Sequence, residues 1–147
     1  VKLLKKNYNK KSSPCHCINI RRASTSITSF YDEKLKSCGL TVNQFSLLRY
    51  LKFYGGLSVS DLALEMRLDR STLVRTLKPL EEKGLVADTS EKGTRNRELT
   101  LTNKGTDLLS KAEPLWMETQ KFITQYIGED EMNLLKKVLS KMENLAP

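Results

Sequence analysis

The stretch "RSTLVRTLKPLEEKGLV", residues 70–86, sets two unlike faces back to back. Leu73, Leu77, Leu80 and Leu85 recur at intervals of three to five, the spacing of a helix face turned toward a core. The opposite face carries Ser71, Thr72, Arg75, Thr76 and Lys78, a strip of hydroxyl donors with two cations. Asp69 precedes the strip and suits a helix cap, because the first-turn N–H groups otherwise lack partners. Pro79 removes the donor that would reach the carbonyl of Arg75; since Leu80 and Leu85 keep the apolar phase, a bend rather than a break is expected. Gly84 ends the helix.

Toward the amino end, "TVNQFSLLRYLKFYGG" (41–56) opens with Thr41 and Gln44 at capping-box spacing, carries Phe45, Leu48 and Leu51 inward, and stops at Gly55-Gly56. A shorter helix follows, capped by Ser58 and Asp61 and buried through Leu62, Ala63 and Met66. Only a few residues around Leu68 separate it from the helix of residues 70–83, the pattern of a helix-turn-helix. Toward the carboxyl end the period changes. "LVADT" (85–89) and "RELTLT" (97–102) read as short strands joined by the polar turn "SEKGTRN" (90–96), so a hairpin wing follows the helix-turn-helix directly.

Helical periods flank this unit. From Pro14, Cys17, Ile20, Ser24, Ile27, Tyr31 and Leu35 predict a long first helix ended by Gly39. After "LTNKG" (101–105), Leu108, Ala112, Leu115, Trp116, Phe122 and Tyr126 predict one helix kinked at Pro114 and broken at Gly128. Leu135, Val138, Met142 and Leu145 mark a last helix. The expected fold is mainly α: a basic arm over 1–13, then a single domain over 14–147, with a winged helix-turn-helix at 41–102 between helices at 14–38 and 103–147.

The totals fit that reading. A chain of 147 residues, 39% hydrophobic and 29% charged, can close one core without staples. No apolar run approaches the roughly 18 residues needed to span a bilayer, and the lysine-rich amino end lacks the apolar stretch of a signal peptide; the expected address is the cytoplasm. The net charge of +8 favours a polyanionic partner, yet residues 1–22 hold seven cations and no acid, so most of it belongs to the arm and first helix. Metalloprotease, nucleophile-elbow and phosphate-loop motifs are absent from the sequence, and a single histidine leaves little for acid–base work. Neither an enzyme nor a resident cofactor is expected.

The polar strip could be an ordinary solvated face, and the cations of the hairpin could merely keep a loop soluble. Their combination favours DNA. In a helix-turn-helix the second helix enters the major groove amino end first. Arg75 can donate bidentately to a guanine; Ser71, Thr72 and Thr76 suit phosphates or base edges, and Lys78 a phosphate. Arg95 at the hairpin tip suits a narrow minor groove, with Lys92 and Arg97 beside it. The competing class is a winged helix used for protein contact, without operator affinity.

At these residues the chain resembles the MarR-type winged-helix regulators. The resemblance is carried by "LTVNQFSLLRYL" (40–51), "SVSDLALEMRLDRSTLVRTLKPLEEKGLV" (58–86) and "GTRNRELTLTNKG" (93–105). It implies a homodimer in which the first and last two helices interlock, presenting two winged helices to a palindromic operator. It implies that Ser71, Thr72 and Arg75 face the major groove and Arg95 the minor groove. It further implies repression relieved by an effector, a small aromatic or phenolic compound or an oxidant, held between the dimerisation helices and the winged domains. One departure stands out: Gly93 lies where the family usually has an aspartate two residues before the wing arginine.

"CHC" (15–17) stays open between three readings. Free cysteine packs as a small hydrophobe. A metal site needs more ligands and wider spacing than C-x-C with one histidine, and no metal is expected. Redox sensing follows from the resemblance: peroxide-responsive relatives carry a reactive cysteine near the start of the first helix. Cys17 falls there, with Cys15 as neighbour and Tyr31 on the position of a tyrosine that hydrogen-bonds it. Arg21 replaces a second such tyrosine, and a cation at i+4 would favour the thiolate.

Overall fold

The computed structural model describes residues 10–91, 93 and 97–146. The expectations placed on Lys92, on Arg95 and on most of the basic arm lie outside those residues. Helix α1 runs His16–Leu35 and tightens into a 3-10 turn at Lys36–Cys38, ended by Gly39 in the left-handed region. Helix α2 (Val42–Tyr54) begins with the expected capping box, Thr41 and Gln44 each accepting from the other's backbone N–H. Strand β1 (Leu57–Ser58) leads into helix α3 (Val59–Glu65), capped by Ser58, and helix α4 spans Arg70–Glu82. Strands β2 (Val86–Asp88) and β3 (Glu98–Leu101) precede the long helix α5 (Asn103–Ile127) and the last helix α6 (Glu129–Glu143).

The core is one leucine-rich cluster. Leu73, Leu77 and Leu80 of α4 are fully buried and pack with Phe45, Leu48 and Leu51 of α2, Leu62 of α3 and Leu99 of β3. Leu85 joins them past the helix end, where its N–H reaches the carbonyl of Leu80 and that of Gly84 reaches Glu81, both at 2.9 Å. This is the two-bond helix stop that left-handed Gly84 permits. Helix α4 continues through Pro79.

Two details depart from the sequence reading. The wing is a three-stranded antiparallel sheet, order β1-β3-β2, because Leu57 and Ser58 pair with Leu99 and Glu98. Only Leu57 separates the glycine pair from the cap residue Ser58, too little to show an alternating pattern, so β1 has no signature of its own. In α5 the buried stripe is Gly105, Leu109, Ala112, Thr119 and Ile123; Leu108, Leu115 and Trp116 sit at its edge, and Phe122 and Tyr126 are exposed. As expected, α5 is one helix through Pro114 that ends at Gly128. No residue of α6 is buried: Leu134, Leu135, Leu139 and Met142 all lie open, as do Ile18, Ile20 and Ile27 of α1. Both α1 and α6 therefore leave large apolar side chains open within the single chain.

Two local devices set the position of α4 and the wing. Gly105, at the start of α5, lies so close to β2 that a Cβ there would stand 2.1 Å from the Leu85 carbonyl oxygen. The same carbonyl accepts from the N–H of Thr102 at 3.1 Å. Gly105→Ala must push α5 off the sheet and should destabilise the fold by about 1–3 kcal/mol, the usual cost of overpacking. Urea unfolding would show it as a lower midpoint at unchanged slope.

The second device is Asp69, whose carboxylate accepts from the Thr72 N–H at 2.8 Å, the Thr72 hydroxyl at 2.6 Å and the Ser71 hydroxyl. The Ser71 and Thr72 hydroxyls first, then the Thr72 N–H and the charge of Arg75, hold the Asp69 carboxyl well below the usual carboxylate range. A folded-state pKa below the unfolded value near 4 gives stability that is full above that value and drains away as the pH falls. The melting temperature of Asp69→Asn should therefore fall less than that of the parent between about pH 4 and pH 2. Parallel curves for the two proteins would remove Asp69 from the acid response.

Candidate nucleic-acid interface

Burying Leu73, Leu77 and Leu80 fixes what α4 turns outward. At 100° per residue, Ser71, Arg75 and Lys78 fall on the opposite side and are exposed, with Thr72 and Thr76 half-buried at its edge. The predicted strip is thus brought together on one helix. The hydroxyls are not idle in the free protein. Ser71 and Thr72 spend their single hydrogens on Asp69, Thr72 also accepts from Arg75 Nη2 at 3.2 Å, and Thr76 donates to the Thr72 carbonyl at 3.1 Å. These oxygens therefore present acceptors rather than donors until the Asp69 contacts are exchanged. Arg75 remains exposed beyond that single tether, and Lys78 is exposed.

Sequence reasoning missed two neighbours on this surface. Arg70, the first residue of α4, is exposed and reaches the Ser60 hydroxyl of α3 at 3.3 Å. Val74 is a large exposed apolar side chain beside Arg75. Their positions in the 3.6-residue period, adjacent to Ser71 and Arg75, were the available signal. The turn between α3 and α4 is made by Arg67, which takes the left-handed region at φ 52° while the Leu68 N–H reaches back to the Ala63 carbonyl at 2.9 Å. Arg67 also pairs with Glu143 at the end of α6.

At the wing, Arg97 is committed elsewhere: its Nε donates to Asp88 Oδ2 at 3.0 Å and its Nη2 pairs with Glu81 of α4. The Cys17 constellation is not assembled within one chain. Cys15 and Cys17 are exposed. Tyr31 lies fourteen residues further along α1, about 21 Å at 1.5 Å per residue, and its hydroxyl donates to Gln120 of α5. Burial raises the Tyr31 pKa.

A second concave site opens on the outer side of α2. Phe45, Ser46, Arg49, Tyr50, Phe53, Tyr54 and Trp116 line a cavity of about 310 Å³. The Arg49 guanidinium stands 4.5 Å from the centre of the Trp116 ring and 5.6 Å from that of Phe53, and Trp116 stacks on Phe45. Trp116, expected as a core or interface aromatic, is thus an edge-of-core ring that walls a cavity. The spacing Phe45, Arg49, Phe53 was the legible sign, since residues four apart share a helix face.

Comparison with known proteins agrees with the geometry. The MarR family profile matches residues 39–95. A Thauera aromatica protein named for transcriptional regulation of the hcr operon is 31% identical over 105 residues, 71% of this chain. The match spans 63% of that protein's length. The Mycobacterium tuberculosis transcriptional regulator MosR, solved in complex with DNA, is 30% identical with a TM-score of 0.74, covering 90% of this chain and 99% of that one. The transcriptional repressor CouR bound to a 23-mer duplex is 25% identical, with a TM-score of 0.77 and coverage of 88% and 92%. CouR bound to p-coumaroyl-CoA superposes at a TM-score of 0.79, at 24% identity over 90% of this chain and 94% of that one. With the helix-turn-helix, the three-stranded wing and the flanking helices in the same order, the chain belongs to the MarR family of winged helix-turn-helix transcriptional regulators.

Proposed function

We propose that this protein is a cytoplasmic repressor that binds a palindromic operator as a homodimer and releases it when an anionic aromatic effector binds. The observation that carries the DNA reading is the exposed polar face of α4, held outward by three buried leucines and headed by the cap that presents Ser71 and Thr72. In this reading the amino end of α4 lies in the major groove, Arg75 reads a guanine, and Ser71, Thr72, Thr76 and Lys78 contact the backbone or base edges. Arg95 enters the flanking minor groove, with Lys92 beside it.

Dimerisation is supported by the apolar face that α1, the end of α5 and α6 leave open. Leu135 and Leu139 are only partly covered in the protomer, so replacing both by Asp costs the protomer little and places charges in the seam. The double variant should elute as a monomer and lose operator binding, while keeping the helical content of the parent. Dimers at the parent's concentration would show that α6 is not the seam.

The effector reading rests on Arg49 between two aromatic rings in a cavity large enough for a substituted benzene. A guanidinium there can pair with a carboxylate while the rings sandwich an aryl group. That MarR-fold neighbour CouR is bound to p-coumaroyl-CoA accords with an aryl ligand. An oxidant acting at Cys17 is the second reading, supported by the exposure of Cys15 and Cys17 near the start of α1.

Selection of duplexes from a random pool tests the proposal. Palindromic sites should be enriched. On the selected site Arg75→Ala should lose about 1–3 kcal/mol and relax preference at one base position per half-site. Lys78→Ala should weaken all sequences alike and reduce the salt slope by about one for each phosphate it no longer neutralises. A pool without enrichment would favour the protein-contact class instead.

A further inference from the structure

The wing arginine at the base of the hairpin does not look toward a ligand; it looks back at the helix. Glu81 is the penultimate residue of α4, Asp88 is the last residue of β2, and Arg97 directly precedes β3. One guanidinium therefore joins the recognition helix to both strands, with Nε on Asp88 Oδ2 at 3.0 Å and Nη2 on Glu81. The other Asp88 oxygen is taken by the N–H and hydroxyl of Ser90, so Asp88 is itself fixed by the start of the turn. All three ion-paired side chains are more than half covered, at 37%, 25% and 30% exposure for Arg97, Glu81 and Asp88.

The position of this clamp matters. The ladder between β2 and β3 pairs Asp88 with Leu99, and its outermost bond among the described residues is from the Thr89 N–H to the Glu98 carbonyl at 2.8 Å. Below that bond the sheet is held by buried Leu99 and Val86 and by β1. Among the described residues no strand pairing continues above it, and Gly93 at φ 88° makes part of the turn. Arg97 acts at the last described rung of the ladder, so it ties that end of the sheet to the carboxyl end of α4. Its charge is outnumbered by its two carboxylates, which leaves the trio at net −1, a poor surface for a phosphate. A forked, planar guanidinium can span two carboxylates on different elements, which an ammonium cannot do with the same geometry.

We propose that Arg97 is a positioning residue, which fixes the angle between wing and recognition helix through Glu81 and Asp88 and thereby lets the tip read the sequence flanking each half-site. This rests on the DNA-binding reading above. The test uses the full-length dimer and the duplex selected by the parent, compared with the same duplex carrying G·C-rich flanks. Parent, Arg97→Ala, Arg97→Lys, Glu81→Ala and the Arg97→Ala/Glu81→Ala pair are measured on both duplexes.

Positioning predicts that each single variant loses about five- to tenfold in affinity on the selected duplex and little on the flank-altered one. The pair should be no worse than either single, and Lys should not rescue. A direct phosphate contact predicts the opposite signs: Glu81→Ala binds as well as or better than the parent on both duplexes, Lys restores binding, and Arg97→Ala weakens both duplexes alike. Those results would overturn the inference. Because Glu81→Ala leaves the strands untouched, it keeps the test informative should Arg97→Ala disturb the wing. If the parent enriches no duplex at all, the DNA-binding reading fails, an outcome separate from failure of the clamp.

Discussion

The arrangement of this protein follows from the burial of one helix face. Leu73, Leu77 and Leu80 are each fully removed from water, and each contributes on the order of 1.5–3 kcal/mol relative to exposure. A helix has one rotational setting that buries all three. Once it is taken, Ser71, Arg75 and Lys78 have nowhere to go but outward. The polar strip is therefore not positioned by its own contacts. It is positioned by the leucines behind it, and the Asp69 cap only sets where the strip begins.

Around that setting the remaining elements serve two ends. Helix α2, helix α3 and the small sheet close the core behind α4, and Gly105 lets α5 approach the Leu85 carbonyl closely enough to lock the sheet against the helix layer. The long helices then carry apolar surface that one protomer cannot cover. The same chain thus has a face with capped helices and paired charges, and helices whose large apolar side chains stay open to solvent. The cavity around Arg49 lies between α2 and α5, where the winged unit meets the flanking helices. A ligand that stacks on Trp116 there would act on the junction of the two.

Much of this was legible in the sequence, because the elements that matter have strong local grammar. Thr41 with Gln44, Ser58 with Asp61, and Asp69 before Arg70 each announce a helix start through side chains that meet orphan N–H groups, and each appears in the structure as such. The leucine period of α4 was equally readable. What failed was of another kind. Strand β1 is two residues long and exists only because β3 lies beside it. In α5 the apolar residues cover more than half the circumference, so periodicity could not say that Leu109, rather than Leu108, faces the core. The roles of Arg97 and Arg49 were hidden because a sequence shows a cation but not its partner. Glu81 lies sixteen residues from Arg97, and Trp116 lies 67 residues from Arg49.

The central claim is that the outward face of α4 reads base edges through Arg75, and atomic substitution in the DNA tests it most directly. Guanines of the selected half-site would be replaced one at a time by 7-deazaguanine, which removes the N7 acceptor and little else, and binding measured for the parent and for Arg75→Ala. If Arg75 reads a guanine, there is one position in each half-site where the loss of N7 weakens the parent by about 1 kcal/mol or more but does not weaken the variant further. If N7 removal costs both proteins equally at every guanine, Arg75 does not read the groove and the assignment of the face is wrong.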